Sequence, residues 1–84
     1  MTERRIQVLP IRAIEAGETV KIIKISGKDE TKRHLNELGI IEGDRATVVQ
    51  NNNGNLILHV KGGRIAIDEK LAMRIKVDPE RREE

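Results

Sequence analysis

Glu30, His34 and Glu37 are the residues of this chain best spaced for chemistry. Offsets of four and three put them on one stripe of a helix, where side chains one turn apart can meet. An imidazole with two carboxylates can hold Zn2+ or Fe2+. Composition weighs against a dedicated site. Of the 84 residues, 36% are charged, so such spacings arise by chance and a histidine beside a glutamate is ordinary. The other histidine, His59, sits between Leu58 and Val60 and reads as a half-exposed strand residue. No cofactor is required by the pattern. Weak Fe2+ or Zn2+ binding at Glu30, His34 and Glu37 is the only metal chemistry on offer.

Covalent catalysis finds no footing. Ser26 has no evident base partner, cysteine is absent, and no phosphate-cradling glycine loop precedes a helix. Gly62-Gly63 reads as a hairpin. The chain is therefore not expected to be an enzyme.

Charge is high and nearly balanced, with 16 basic and 14 acidic residues for a net +2. Nucleic-acid binders of this size usually show a one-sided basic surplus and aromatic platforms. Here Tyr, Trp and Phe are absent, so no nucleic acid is expected as a partner. The core must be built from Ile, Leu, Val and Ala without disulfides. No stretch approaches the roughly 20 apolar residues that span a bilayer. No charged-then-apolar leader opens the chain. A cytoplasmic protein without membrane insertion is the expectation.

The elements that must position these residues follow from local pattern. Residues 1–8 form a flexible or edge-strand lead-in, with Ile6 and Val8 as its apolar pair. Ile11, Ile14 and Gly17 suggest a turn of helix or irregular chain entering the core. Thr19 to Ile25 is rich in β-branched residues and reads as a strand. Its phase changes midway, since Val20 and Ile22 share one face while Ile23 and Ile25 share the other. Either both faces are partly buried or a bulge lies near Ile22 and Ile23.

Asp29 is the expected N-cap of a helix from about Glu30 to Leu38, with Thr31, Leu35 and Leu38 on its inner stripe. Gly39 fits the position just past the helix end, where a residue without Cβ takes positive φ cheaply. Ile40 and Ile41 then return the chain to the core, and Gly43 turns it into a strand from Asp44 to Gln50. Asn51 to Asn55 is a turn, Leu56 to Lys61 a strand, and Arg64 to Ile67 another. Asp68 caps a helical turn over Glu69 to Met73, and Ile75 and Val77 make a last strand. Residues 79–84 read as a charged, disordered tail.

Strand, helix, three-strand meander, helical turn and strand occupy residues 9–78. So small a sheet curls rather than lies flat. The expected class is mainly β: an SH3-like barrel of about five or six strands with one short α-helix and a C-terminal helical turn.

Gly17, the β-branched strand and the run from Arg33 through Leu35, Leu38, Gly39 and Gly43 to Asp44 together resemble the FeoA family of ferrous iron transport proteins. So does the C-terminal run from Leu71 through Ala72 and Ile75 to Val77. The resemblance covers roughly Leu9 to Val77. Two positions depart from it. The family often has proline where this chain has Glu42, and a basic residue where it has Asp68. The same barrel is similar to the C-terminal domain of iron-dependent repressors.

The resemblance implies a small accessory or regulatory protein of bacterial ferrous iron uptake. Its implied partner is the cytosolic domain of a membrane iron transporter with a GTP-binding domain, of the FeoB type. The β-rich edge leaves room for a homo-oligomer. The surface expected to meet the partner is the outer side of the helix and its exit: Arg33, Glu37, Gly39 and Glu42. Two other readings compete. Glu42 to Val48 also resembles the start of KOW-type barrels that bind nucleic acid. The chain could alternatively be a stand-alone regulatory barrel related to metal-sensing repressors.

Overall fold

The computed structural model describes residues 7–80. In chain order these form β1 (Leu9–Pro10), a 3-10 turn (Ile11–Ala13), β2 (Thr19–Ile25), α1 (Asp29–Glu37), β3 (Arg45–Asn52), β4 (Asn55–Val60), β5 (Gly63–Ile67), α2 (Glu69–Ala72) and β6 (Ile75–Asp78). The six strands make one antiparallel sheet in the order β1-β6-β2-β3-β4-β5. The class is mainly β, as expected, and the last strand in sequence lies inside the sheet between β1 and β2.

The core is aliphatic throughout. Every strand from β2 to β6 turns one face to it, and α1 contributes Leu35. In β2 the buried residues are Val20, Ile22 and Ile25. That spacing breaks the period of two, and the register against β6 shifts between Ile22 and Lys24. Of the two alternatives, the bulge near Ile22 and Ile23 is the one present, and it turns Ile25 inward.

The β3–β4 hairpin closes through Asn53 and Gly54, both at positive φ (54° and 93°), the geometry of a two-residue turn whose twist suits the strands. Asn51 ties this hairpin to the start of the chain. Its Nδ2 donates to the carbonyls of Arg12 and Ile14 at 2.8 Å each, and its Oδ1 accepts from Gly54 N at 3.0 Å. Asp68 caps α2 as expected, with Oδ1 accepting from Leu71 N at 2.9 Å. Ala72, Ile75 and Val77 are fully buried.

Some sequence expectations change: of the pair expected to return to the core, Ile40 is buried but Ile41 is 46% exposed. Val8 is 54% exposed and belongs to no strand, β1 being Leu9–Pro10; residues 1–6 of the expected lead-in, Ile6 included, lie outside the described residues. Among the described residues β1 pairs only with β6, and a proline suits a strand whose N–H has no second partner there. Asp29 is the first residue of α1 and not its cap. Lys28 holds the cap position without a side-chain hydrogen bond, while Asp29 and Glu30 place negative charge in the first turn. β3 starts at Arg45 and runs to Asn52, two residues into the expected turn. Finally, Pro79 is buried and Glu80 is ion-paired to Arg45, while residues 81–84 of the expected tail lie outside the described residues.

Candidate functional site

The end of α1 is built by backbone hydrogen bonds. Gly39 N donates to Asn36 O at 3.0 Å, and Ile40 N donates to Leu35 O at 2.9 Å. These are the two bonds of a Schellman motif, with Gly39 in the left-handed region at φ 102°. Leu35 and Ile40, the residues that flank the motif, are both fully buried. A Cβ at Gly39 would stand 3.0 Å from Val60 Cγ2 on β4, so this corner also sits close against the sheet.

Past the corner, the chain runs back along β2. Ile22 N donates to Asp44 O and Gly43 N donates to Ile22 O, each at 2.8 Å. Glu42 Oε2 then accepts from Ile25 N at 2.8 Å. The segment therefore covers the part of β2 that extends beyond its pairing with β3, which ends at Lys21 and Arg45. At the two positions where the family resemblance breaks, Glu42 and Asp68, the chain uses a carboxylate to satisfy a backbone N–H.

Arg33 and Glu37 lie one turn apart on the outer face of α1, both exposed. No ion pair joins them among the described residues. Beside them a shallow pocket of about 260 Å3 is lined by Ile25, Lys32, Asn36, Ile41 and Glu42. Ile41 is 46% exposed at its rim. Of the four residues expected to face a partner, Arg33, Glu37 and Glu42 are open to solvent. Gly39 is half-buried against Val60, and Glu42 spends one carboxylate oxygen on β2.

Glu30, His34 and Glu37 do not converge. Among the described residues no group of three or more His, Asp or Glu side chains is placed to hold a metal ion. The three share a stripe, but about 10 Å of helix separates the outer two, and all three are exposed. His59 lies on the outer face of β4, opposite Thr47 and Arg64.

One feature had no sequence signal: Arg45 on β3 pairs with Glu80 through two parallel bonds of 2.7 and 2.9 Å. The hydrogen bond and then the charge of Glu80 hold the guanidinium still more firmly protonated.

A six-stranded antiparallel sheet rolled around an aliphatic core, with one helix stopped against it by a glycine corner, is an SH3-like barrel. Residues 9–79 match the FeoA domain model, and the chain belongs to the FeoA family, which is involved in ferrous iron transport. The relative "Putative Fe(2+) transport protein A" of Methanocaldococcus jannaschii is 36% identical over 69 residues, covering 82% of this chain and 84% of that one. The crystal structure of an iron uptake regulatory protein (FeoA) is similar with a TM-score of 0.80 at 27% identity, over 86% of this chain and 97% of that one. A manganese-dependent transcriptional repressor reaches a TM-score of 0.80 at 18% identity, over 89% of this chain but 43% of the repressor. That likeness shows the fold alone. Among the described residues, no helix is long and apolar enough to cross a membrane.

Proposed function

We propose that this chain is a cytoplasmic accessory protein of ferrous iron transport that binds the cytosolic, GTP-binding part of a membrane iron transporter of the FeoB type. The observation that carries this is the corner at Gly39. It fixes an exposed helix face, and it leaves Ile41 at the rim of a shallow pocket beside Lys32 and Asn36. A rigid surface with an apolar group at its centre and charges around it suits protein binding, because little ordering entropy is lost on association. No cofactor is required, and chemistry is left to the partner.

The test is calorimetric titration of the chain with the transporter's isolated GTP-binding domain. The double charge reversal R33E/E37K should weaken binding about tenfold, the scale of about 1.4 kcal/mol. It should leave the melting temperature nearly unchanged, because exposed substitutions usually stay within about 0.5 kcal/mol. Unchanged affinity would remove the α1 face as the contact surface. Absence of binding by the unsubstituted chain would sink the proposal itself.

A further inference from the structure

The register of four strands places Thr19, Thr47, His59 and Arg64 opposite one another, in one row across the outer face of the sheet. Thr19 Oγ1 and Thr47 Oγ1 are 2.8 Å apart, so one hydroxyl donates and the other keeps its proton for an outside acceptor. Both threonines, with Arg45, His59 and Lys61, line a shallow pocket of about 310 Å3, in which Asp44 is the carboxylate. Among the described residues no ion pair engages His59, Lys61 or Arg64. His59 also stands directly opposite Arg64, and two basic side chains in that relation gain nothing from each other.

This face already grips one carboxylate. Arg45 Nε and a terminal guanidinium nitrogen donate to the two oxygens of Glu80, the fork geometry that suits a carboxylate. Glu80 is delivered there by the end of β6. Pro79 is buried, and Asp78 Oδ1 accepts from Glu80 N at 2.8 Å. Glu80 is held at φ 54°, a left-handed conformation that costs a non-glycine residue and persists only where its surroundings enforce it.

We propose that the outer face of β2–β5 docks an acidic peptide segment of a protein partner, and that Glu80 is its intramolecular competitor. The segment's carboxylates engage Lys61, Arg64 and the outward threonine hydroxyl, and displacing Glu80 frees Arg45 for one more. Naming a protein as the source of the segment rests on the protein-binding role proposed above; the carboxylate chemistry does not. Nucleic acid fits less well, because the chain has no aromatic ring on which a base could stack.

The probe is hexaglutamate, titrated into the isotopically labelled full chain and followed by amide chemical shifts. Shifts should be confined to Thr19, Arg45, Thr47, His59, Lys61, Arg64 and their neighbours. E80Q should tighten binding about threefold, the gain from removing a competitor that holds the site roughly two-thirds of the time. That gain should vanish in R45Q. K61Q/R64Q should weaken binding about fivefold or more, through lost charge complementarity. Shifts centred on α1, or an E80Q variant no tighter than the parent, would overturn the proposal. Hexauridine RNA binding the same residues more tightly than the peptide would transfer the face to nucleic acid. Because the probe is not the transporter domain, failure of the transporter reading and failure of this one are separate results.

Discussion

Replacing Gly39 by alanine should cost markedly more than the same change at Gly43, though both glycines adopt left-handed backbone at φ 102° and 94°. The backbone term is shared: an L-residue in that region costs about 1–2 kcal/mol. The steric term is not. A Cβ at Gly43 meets nothing within 4 Å, whereas one at Gly39 stands 3.0 Å from Val60 Cγ2. Carbon contacts are best at about 3.5–4.0 Å, so Val60 or the corner must shift, and forced overpacking typically costs about 1–3 kcal/mol. The sum for G39A is about 2–5 kcal/mol against about 1–2 for G43A. In a domain this small each kcal/mol is about 4–8 °C of melting temperature. The difference is the steric term, about 1–3 kcal/mol, so G39A should melt roughly 4–24 °C below G43A. The assay is urea and thermal unfolding by far-ultraviolet circular dichroism, because a chain without Trp, Tyr or Phe offers no fluorescence. V60A in the same series isolates the contact. In its background the extra penalty of G39A over G43A should disappear, a coupling of about 1 kcal/mol or more. Equal melting temperatures for G39A and G43A would refute the close approach of the corner to β4. Failure of V60A to relieve G39A would refute Val60 as its cause.

Three further substitutions probe the carboxylate and amide ties. E42A leaves the part-buried Ile25 N–H without its acceptor and should cost about 1–2 kcal/mol; E42Q, which keeps a carbonyl, should cost less, and amide exchange at Ile25 reads the difference directly. N51D keeps the acceptor for Gly54 N but removes the donor to Arg12 O and Ile14 O. It should destabilise by about 2 kcal/mol or more, measured by the urea midpoint, and an unchanged midpoint would mean water replaces that tie without loss. D68A should lower stability by about 1 kcal/mol through loss of the α2 cap, with D68N and D68S nearly neutral as alternative caps.

How far the sequence reveals this molecule depends on how local each feature is. The β2 bulge is legible because Val20, Ile22, Ile23 and Ile25 break period two within six residues. The helix corner is legible because Gly39 and Ile40 follow an apolar stripe at the spacing its backbone bonds require. Asp68 is legible as a cap for the same reason. Ties between distant parts are not legible. Glu42 meets Ile25 across 17 residues, Arg45 meets Glu80 across 35, and Asn51 meets Ile14 across 37. Each depends on where the sheet brings two segments, which no local pattern states. The stripe of Glu30, His34 and Glu37 shows the opposite error. Periodicity reports that residues share a face, but convergence needs a partly buried setting, and Glu30, His34 and Glu37 are all exposed and line no pocket described above. On the candidate surface, Arg33 and Glu37 are where the pattern put them, while Glu42 has a structural task no spacing could reveal.

The sheet begins at β1 and ends at β5, and these two strands do not pair. Between them the 3-10 turn and α2 are fastened by side chains: the Asn51 bonds to Arg12 O and Ile14 O, a bond from Glu69 N to Asn55 Oδ1 at 3.1 Å, and an Arg12–Glu69 ion pair at 3.8 Å. The barrel is thus a rolled sheet buttoned along one seam. Opening that seam breaks these side-chain bonds and uncovers Ile11, Ile14 and Ala72, all fully buried, while the strand ladders stay paired. The seam therefore closes the core by side-chain ties and buried apolar contact, without a strand ladder between β1 and β5.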